Sequence, residues 1–427
     1  MRRSLKSFSL LLLVCVLGFG PVYAKDDDGK RRKPPTQRTE KLSPKVFKQL
    51  DASQKAMEAK DITEALRVLD ELKAAADKLN DYEKAQMYNF YAAIHYDSGD
   101  LDATVNDYKQ VLKLEKVPDQ LRDNALFRLA QLYFVKEDYK SAIKILDVWM
   151  ARVESVSPDA HMLKAQAYYQ LDDYEATRQS ALQALRVARE RKQPPKENWL
   201  ALLRAVYYEL GDYPSAAKLL ELLIKQYPKP NYYMQLSGMY GLMEQQSKQL
   251  YVMHAAYVNG MLDKEAEILN LARLYMAQDA PSPAIAVIQQ AMEQELVEAD
   301  KPDNLQLLGQ AMALAQEHEA QIPVLQQLAK ATGESRHYLY LGQAQIALSR
   351  WADAAASLRK ALSGSAVDER GNVQIQLGMA LFNAGQLSQA RRVFIAASTD
   401  KDIGDKASNW VKYVDSELQR KQAMQGE

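Results

Sequence analysis

The sequence predicts an all-α protein: a right-handed α-solenoid of about ten helical hairpins closed by a C-terminal capping helix. Three observations carry that expectation. First, 47% of the 427 residues are hydrophobic, yet only 17 are Gly and 15 are Pro, well under the roughly 12% that an average globular chain devotes to these two residues. Long helices leave little use for turn residues. Second, Ala and Leu rather than Val and Ile supply most of the apolar count, and 24 Tyr stand against 8 Phe and 4 Trp, which argues against a β-sandwich or a parallel-sheet enzyme. Third, one small-residue position returns at intervals of 33 to 39 residues. A period of that size marks units whose apolar faces are buried only by stacking on neighbours.

Residues 1–24 read as an export signal. Arg2, Arg3 and Lys6 precede an uncharged run centred on Leu10 to Leu13, and Val22-Tyr23-Ala24 offers small residues to a signal peptidase. Cleavage after Ala24 and a periplasmic protein are expected. Two alternatives stand beside this reading. An uncleaved anchor helix would have to use an apolar run shorter than the ~20 residues a span needs. A lipid on Cys15 would need a small residue where Val14 stands. Cys15 is the only cysteine, so cleavage leaves no thiol to form a disulfide, bind a metal or attack a substrate. It also lowers the 55 Lys and Arg to 52 against 55 Asp and Glu. No global field then draws the protein to nucleic acid or to an anionic membrane.

Residues 25–44 carry Asp26-Asp27-Asp28, then Lys30-Arg31-Arg32-Lys33, then Pro34-Pro35, with almost nothing apolar. This composition reads as a disordered tether. Its basic tetrad is either a weak contact for anionic lipid or an acidic partner, or a solvated leader that keeps the chain soluble. Membrane association is expected only through this tether or through partners.

Residues 45–403 form the array. In residues 123–149, Leu126, Leu129, Ala130 and Tyr133 lie on a first helix, Asp138-Tyr139 at a turn, and Ala142, Leu146 and Trp149 on a second. This is tetratricopeptide (TPR) spacing. The small slot, where two helices cross closely, falls at Ala65, Thr104, Ala142, Thr177, Ala216, Gln249, Ala284, Gln321, Ala354 and Ala390. Gly or Asp before the slot ends one helix, as at Gly99-Asp100, Asp172-Asp173 and Gly211-Asp212. The sixth and eighth units are weaker, because the long amides of Gln249 and Gln321 are expected to loosen the crossing and change the curvature. Pro281 and Pro283 are placed at the start of a second helix, and Pro323 in a first helical turn, where a missing N–H costs least. Residues 404–427, with Trp410, Tyr413, Val414 and Leu418 on one face, read as a capping helix and tail.

Several phrases go beyond generic repeat spacing: EKAQMYNFYAAIHY at 83–96, PKENWLALLRAVYYELGDYPSAAKLLELLIKQYP at 195–228, YYMQLSGMYG at 232–241 and ASNWVKYVDSE at 407–417. Together they resemble the periplasmic TPR proteins associated with the TonB, ExbB and ExbD energy-transduction system of Gram-negative bacteria. The likeness runs over residues 41–417. It implies an accessory that binds components of a proton-motive-force-driven complex for uptake of iron carriers or haem. The resemblance transfers no binding residue. A general scaffold for outer-membrane or peptidoglycan assembly is the alternative function.

No catalytic constellation is legible. The five histidines, at 95, 161, 254, 318 and 337, never fall two within a helical turn, and His318-Glu319 lacks the second His of a zinc protease helix. Ser141 and Lys144 have serine-hydrolase spacing without the other motifs of an acyl-transfer site. No phosphate loop occurs. A hydrolase with a cryptic site is the remaining third class. The expectation is therefore no enzyme, no metal, no cofactor, no nucleic acid and no small-molecule substrate.

Binding is expected on the concave face, lined by the first helices. Tyr96, Phe134, Tyr169 and Tyr208 occupy one equivalent position in four successive units, with Met276, Ile346 and Phe382 there in later ones. Asn89, Phe127, Gln131, Met162, Gln166 and Asn198 lie nearby, with Met234, Arg273 and Gln343 further on. This mixture can hydrogen-bond an extended backbone and stack on its side chains. The other account of the aromatics is a seal between hairpins. Tyr133, Tyr168 and Tyr207, one residue earlier, are expected in the core, and Trp199 is expected to pack on the preceding hairpin.

Overall fold

The computed structural model describes residues 41–364 and 370–425. The expected export signal and all but the last four residues of the expected tether lie outside the described residues. Among the described residues there are 21 α-helices and no strand. They pair in chain order. The hairpins are α1 (Pro44–Glu58) with α2 (Ile62–Ala74), α3 (Asp81–Asp97) with α4 (Leu101–Lys113), α5 (Asp119–Val135) with α6 (Tyr139–Met150), α7 (Pro158–Gln170) with α8 (Tyr174–Glu190), and α9 (Glu197–Glu209) with α10 (Tyr213–Gln226). Then follow α11 (Pro230–Leu242) with α12 (Gln246–Val258), α13 (Glu265–Ala277) with α14 (Pro281–Glu293), α15 (Pro302–Leu314) with α16 (His318–Thr332), α17 (Ser335–Ala347) with α18 (Trp351–Ser363), and α19 (Arg370–Asn383) with α20 (Leu387–Ala397). α21 (Gly404–Gln425) packs on α20.

The array divides into two compact units, one ending at Tyr227 and one beginning at Pro228. The first holds α1 to α10 and the second α11 to α21. Repeat spacing runs through this point without a break, but the local backbone does not. Tyr227 leaves helical geometry at φ −137°, ψ 71°, and Pro228 and Pro230 then bracket Lys229, with Pro230 opening α11. A proline disfavours helix in the residue before it, so α10 cannot continue into α11.

Every hairpin turns on the same backbone. The residue five places before the slot is left-handed in all ten, at φ between 52° and 79°. It is Gly at 99, 211 and 385, and a residue with a Cβ at the other seven. The next residue donates its N–H to the carbonyl five residues back, as Asp100 does to His95 at 2.8 Å and Arg350 to Gln345 at 2.8 Å. That same residue is the N-cap of the second helix. In the first unit it is always Asp, at 61, 100, 138, 173 and 212. Each carboxylate accepts the backbone N–H three residues on, at 2.9 to 3.1 Å. In the second unit the N-cap residues are Gln245, Ala280, Glu317, Arg350 and Gln386, and none makes a side-chain cap. A cap of this kind contributes about 1 kcal/mol, so the turns of the second unit are held less firmly by their own sequence.

The slot residue meets the first helix twelve residues earlier. Ser53 donates its hydroxyl to the carbonyl of Ala65 at 3.0 Å. A Cβ on Gly342 would lie 2.7 Å from Leu358 Cγ and 3.5 Å from the Ala354 carbonyl oxygen, and one on Gly378 would lie 2.4 Å from Phe394 Cε1. Gln321 corrects the expectation of a loosened eighth crossing. Its side chain is buried and its Nε2 donates to the carbonyl of Gly309 at 2.9 Å. The room left by the missing side chain of Gly309 is taken by Leu325, which would lie 3.3 Å from a Cβ there. Gln249 lies over Gly241, its Nε2 3.1 Å from where a Cβ would stand.

Pro281 stands where expected, at the first turn of α14. Pro323 does not: it is the sixth residue of α16, inside the helix. Its ring removes the N–H that would bond the carbonyl of Glu319. At the C-terminal end Trp410 of α21 stacks on Phe394, with ring centres 5.2 Å apart and planes 8° apart, while Ala407 and Val414 are fully buried. This covers the apolar side of the last hairpin, as a cap must.

His337 is buried in the second unit. The Thr332 hydroxyl donates to the Leu328 carbonyl, so its oxygen accepts from His337 Nδ1–H at 2.7 Å. Nε2 is left bare, buried without a hydrogen-bond partner among the described residues. Burial pushes the His337 imidazole below its ordinary value, and it does the same to half-buried His161. Above the unfolded value of about 6.5 both states are neutral and this stabilisation is fully present. As the pH falls below that value the unfolded chain takes the proton first, and stability is lost until the folded value is passed.

Three outcomes follow. Gln245→Asp and Gln386→Asp should each raise the denaturation midpoint of the second unit by the equivalent of about 1 kcal/mol, and Asp212→Ala should lower that of the first by a similar amount. Pro323→Ala should stabilise by about 1 to 3 kcal/mol. His337→Asn, which keeps a donor to Thr332, should flatten the loss of melting temperature between pH 6.5 and pH 5; an unchanged slope would assign that loss to other groups.

Candidate functional site

In three places the first helices of successive hairpins touch one another. α1 meets α3 and α7 meets α9 in the first unit, and α13 meets α15 in the second. The sequence-predicted binding residues all stand on first helices and are buried unequally. Asn89, Tyr96, Phe127, Gln131, Gln166, Tyr169 and Asn198 are half-buried. Tyr208 is 40% exposed. Phe134 and Met162 are core residues at 7% and 2% exposure, so they are not free to contact a partner. Met162 fills the space left by Ala165, Ala181, Ala184 and Ala188 and packs with Trp199 and Leu203. Trp199 itself is buried, as the packing reading expects. Arg273 and Gln343 are exposed on the second unit's first helices.

The aromatic series has a local cause. Phe134 meets Tyr139 edge-on at 5.2 Å, Tyr169 meets Tyr174 at 5.8 Å and Tyr208 meets Tyr213 at 5.9 Å. In each pair the first ring is in the last turn of a first helix and the second ring opens the second helix, so the pair brackets the left-handed turn. In the second hairpin Tyr96 packs in a cluster with Leu101, the corresponding residue. These rings therefore close hairpins. Burial accordingly pushes the Tyr169 phenol up. Phe127 is similarly engaged, 4.7 Å from Trp149. What each ring leaves uncovered is what remains for a partner.

A polar cluster ties the first two hairpins together. Tyr91 donates to Asp70 and stacks on His95, whose Nδ1 lies 2.7 Å from buried Asp107. Burial raises the Asp107 carboxyl and the His95 contact opposes it. The histidine is thus a packed one, as its repeat position implies.

The structure also forms a cleft between the second and third hairpins. Its lining is Ala92, Ala93 and Tyr96 of α3, Thr104 and Tyr108 of α4, and Arg128, Gln131, Leu132 and Val135 of α5. Of the predicted residues it brings together Tyr96 and Gln131 alone. Arg128, Val135 and Tyr108 were missed. Arg128 and Val135 stand three residues before and four after Gln131, so helical spacing puts them on its face. Tyr108 comes from a second helix, which a search of first helices passes over. Among the described residues no group of three His, Cys, Asp or Glu could hold a metal ion, and no helix is long and apolar enough to cross a membrane.

Two family models match the chain. One, described as anaphase-promoting complex, cyclosome, subunit 3, covers residues 115–188; the other, tetratricopeptide repeat, covers residues 202–230. No curated protein sequence matches. Among solved structures, a tetratricopeptide repeat protein from Parabacteroides merdae is 17% identical over 62% of this chain and 98% of its own, with a TM-score of 0.36. The TPR2AB domain of yeast Sti1, solved as a complex with pHSP90, is 14% identical over 62% and 98%, also at 0.36. MamA from Desulfovibrio magneticus RS-1 is 21% identical over 43% and 96%, at 0.34. Residues 202–230 match the tetratricopeptide repeat, and proteins that carry this repeat bind other proteins.

The unequal burial of one repeat position is directly measurable. Phe134→Ala should cost about 3 kcal/mol or more in denaturant unfolding, whereas Tyr208→Ala should cost about 1 kcal/mol, chiefly its contact with Tyr213. Equal costs would mean that the two rings do the same job.

Proposed function

We propose that this chain is a non-enzymatic scaffold of the periplasm that holds an extended segment of a cell-envelope protein against the first-helix face of hairpins 2 to 5. We further assign it as an accessory of the TonB, ExbB and ExbD system for uptake of iron carriers or haem. One observation carries the binding role. On a face otherwise sealed by paired rings, the cleft at Tyr96 and Gln131 stays open and Tyr208 keeps two fifths of its surface exposed. Tetratricopeptide arrays work by such surfaces, because stacked repeats present side chains from many helices at fixed spacing. The assignment to the TonB system is supported by the phrases at 83–96, 195–228, 232–241 and 407–417, and the periplasmic site by the pattern of residues 1–24.

The test places a photoreactive residue at Tyr208, with exposed Glu221 of α10 as the control on a second helix. Crosslinking in the native host is followed by mass spectrometry of adducts from the osmotic-shock fraction. Capture of TonB, ExbB, ExbD or an outer-membrane receptor from position 208 and not from 221 is the expected result, together with a mature chain beginning at Lys25. Capture of outer-membrane or peptidoglycan assembly factors from 208 would keep the scaffold and replace the TonB assignment. Equal capture from both positions would move the binding surface away from this face.

A further inference from the structure

We infer that the cleft between the second and third hairpins anchors a carboxylate side chain flanked by an aliphatic one, both on an extended segment of the partner protein. The inference rests on the reading of this face as a protein-binding surface and specifies what it grips.

The walls are apolar, with Ala93 on α3 and Leu132 and Val135 on α5, and Val135 is 42% exposed. Five polar side chains line the same space; the Thr104 hydroxyl already donates to the Asp100 carbonyl at 2.7 Å and Tyr96 has an interaction of its own, which leaves Arg128, Gln131 and Tyr108 with a proton to donate. The Arg128 guanidinium makes one hydrogen bond, Nη1 to Gln131 Oε1 at 3.3 Å, and no ion pair among the described residues. That bond occupies the Gln131 oxygen and leaves its NH₂ as the available group. The Tyr108 hydroxyl makes no hydrogen bond among the described residues, and Arg128 is near enough to oppose the rise that burial gives this phenol. No lining residue carries a carboxylate.

A half-buried guanidinium without a counter-ion, beside two neutral donors and an apolar wall, is complementary to one ligand chemistry. The anion satisfies the donors, and the apolar neighbour covers Val135. A cation would meet Arg128 unscreened. A purely aliphatic segment would cover the guanidinium without pairing it, which is costly. Charge-assisted bonds to arginine are the strong ones and fix orientation, so such an anchor would set the register of the bound segment.

The experiment selects random twelve-residue peptides displayed on phage against the purified chain. Synthetic, fluorescein-labelled forms of the enriched sequences are then measured by anisotropy. Enrichment of Asp or Glu next to Leu, Ile or Val is expected. Arg128→Gln and Val135→Glu should each weaken binding about tenfold or more, while Glu221→Gln leaves it unchanged. Melting followed by circular dichroism checks both variants; should Val135→Glu fail to fold, Arg128→Gln alone carries the test. Enriched peptides without a carboxylate, or acidic ones whose binding both variants leave intact, overturn the anchor. If crosslinking from position 208 still succeeds in that case, the face remains a binding surface and only its chemistry was misassigned. An absence of any enrichment also overturns the anchor, and an absence of crosslinks as well removes the face.

Discussion

The close crossing of two helices within each hairpin is the constraint on which the rest depends. It requires a small side chain, or none, on one helix where the other passes over it. Gly342 beneath Leu358 and Gly378 beneath Phe394 show how little space remains. From that contact the turn geometry follows. A hairpin so tight leaves only a few residues to reverse the chain, and the left-handed residue with the hydrogen bond of its successor does this in each of the ten described turns. The apolar sides exposed by a pair so joined are then buried by the next pair. The cores accordingly occur as a series of local clusters along each unit rather than one centre.

The two units meet this constraint with different local chemistry. In the first, five Asp side chains secure the second helices at their N-termini. In the second, uncapped N-termini, a proline within α16 and a buried His337 with a bare Nε2 all reduce what the hairpins contribute by themselves. Packing has to supply the difference. The cluster around Ile268, Ala272, Ile288 and Leu308 reaches from α11 to α16. Stability in the second unit therefore rests on contacts between hairpins, and local opening there should involve neighbours together.

Repeat spacing was legible because its cause is steric and local. Small residues at 65, 142, 216, 284, 354 and 390 announce the crossing without any knowledge of the rest. What stayed hidden depended on residues elsewhere. Gln321 reads as a defect until it is set against Gly309, twelve residues earlier, whose backbone carbonyl accepts its side-chain N–H. Phe134 and Met162 hold repeat positions that are open in other hairpins, and only the size of side chains on the adjoining helices buries them. The cleft is of the same kind. It needs Tyr108 from a second helix beside Arg128 from the following hairpin, a juxtaposition no single repeat encodes. The division after Tyr227 has a local mark, the Pro-Lys-Pro run, but that run also fits an ordinary turn between hairpins.

One repeat position thus carries both jobs that the sequence posed as alternatives. The ring before each turn must close its hairpin, and the demand is met to different degrees: completely by Phe134 against Tyr139, partly by Tyr169, least by Tyr208. A surface for a partner arises where the core leaves a remainder. Such a remainder is stable only if water or a ligand satisfies its polar groups, and at the cleft the Tyr108 hydroxyl and the Gln131 NH₂ make no hydrogen bond among the described residues. Specificity in an array of this kind accordingly comes less from the conserved geometry of the repeat than from the places where a particular pair of neighbouring hairpins fails to fill it.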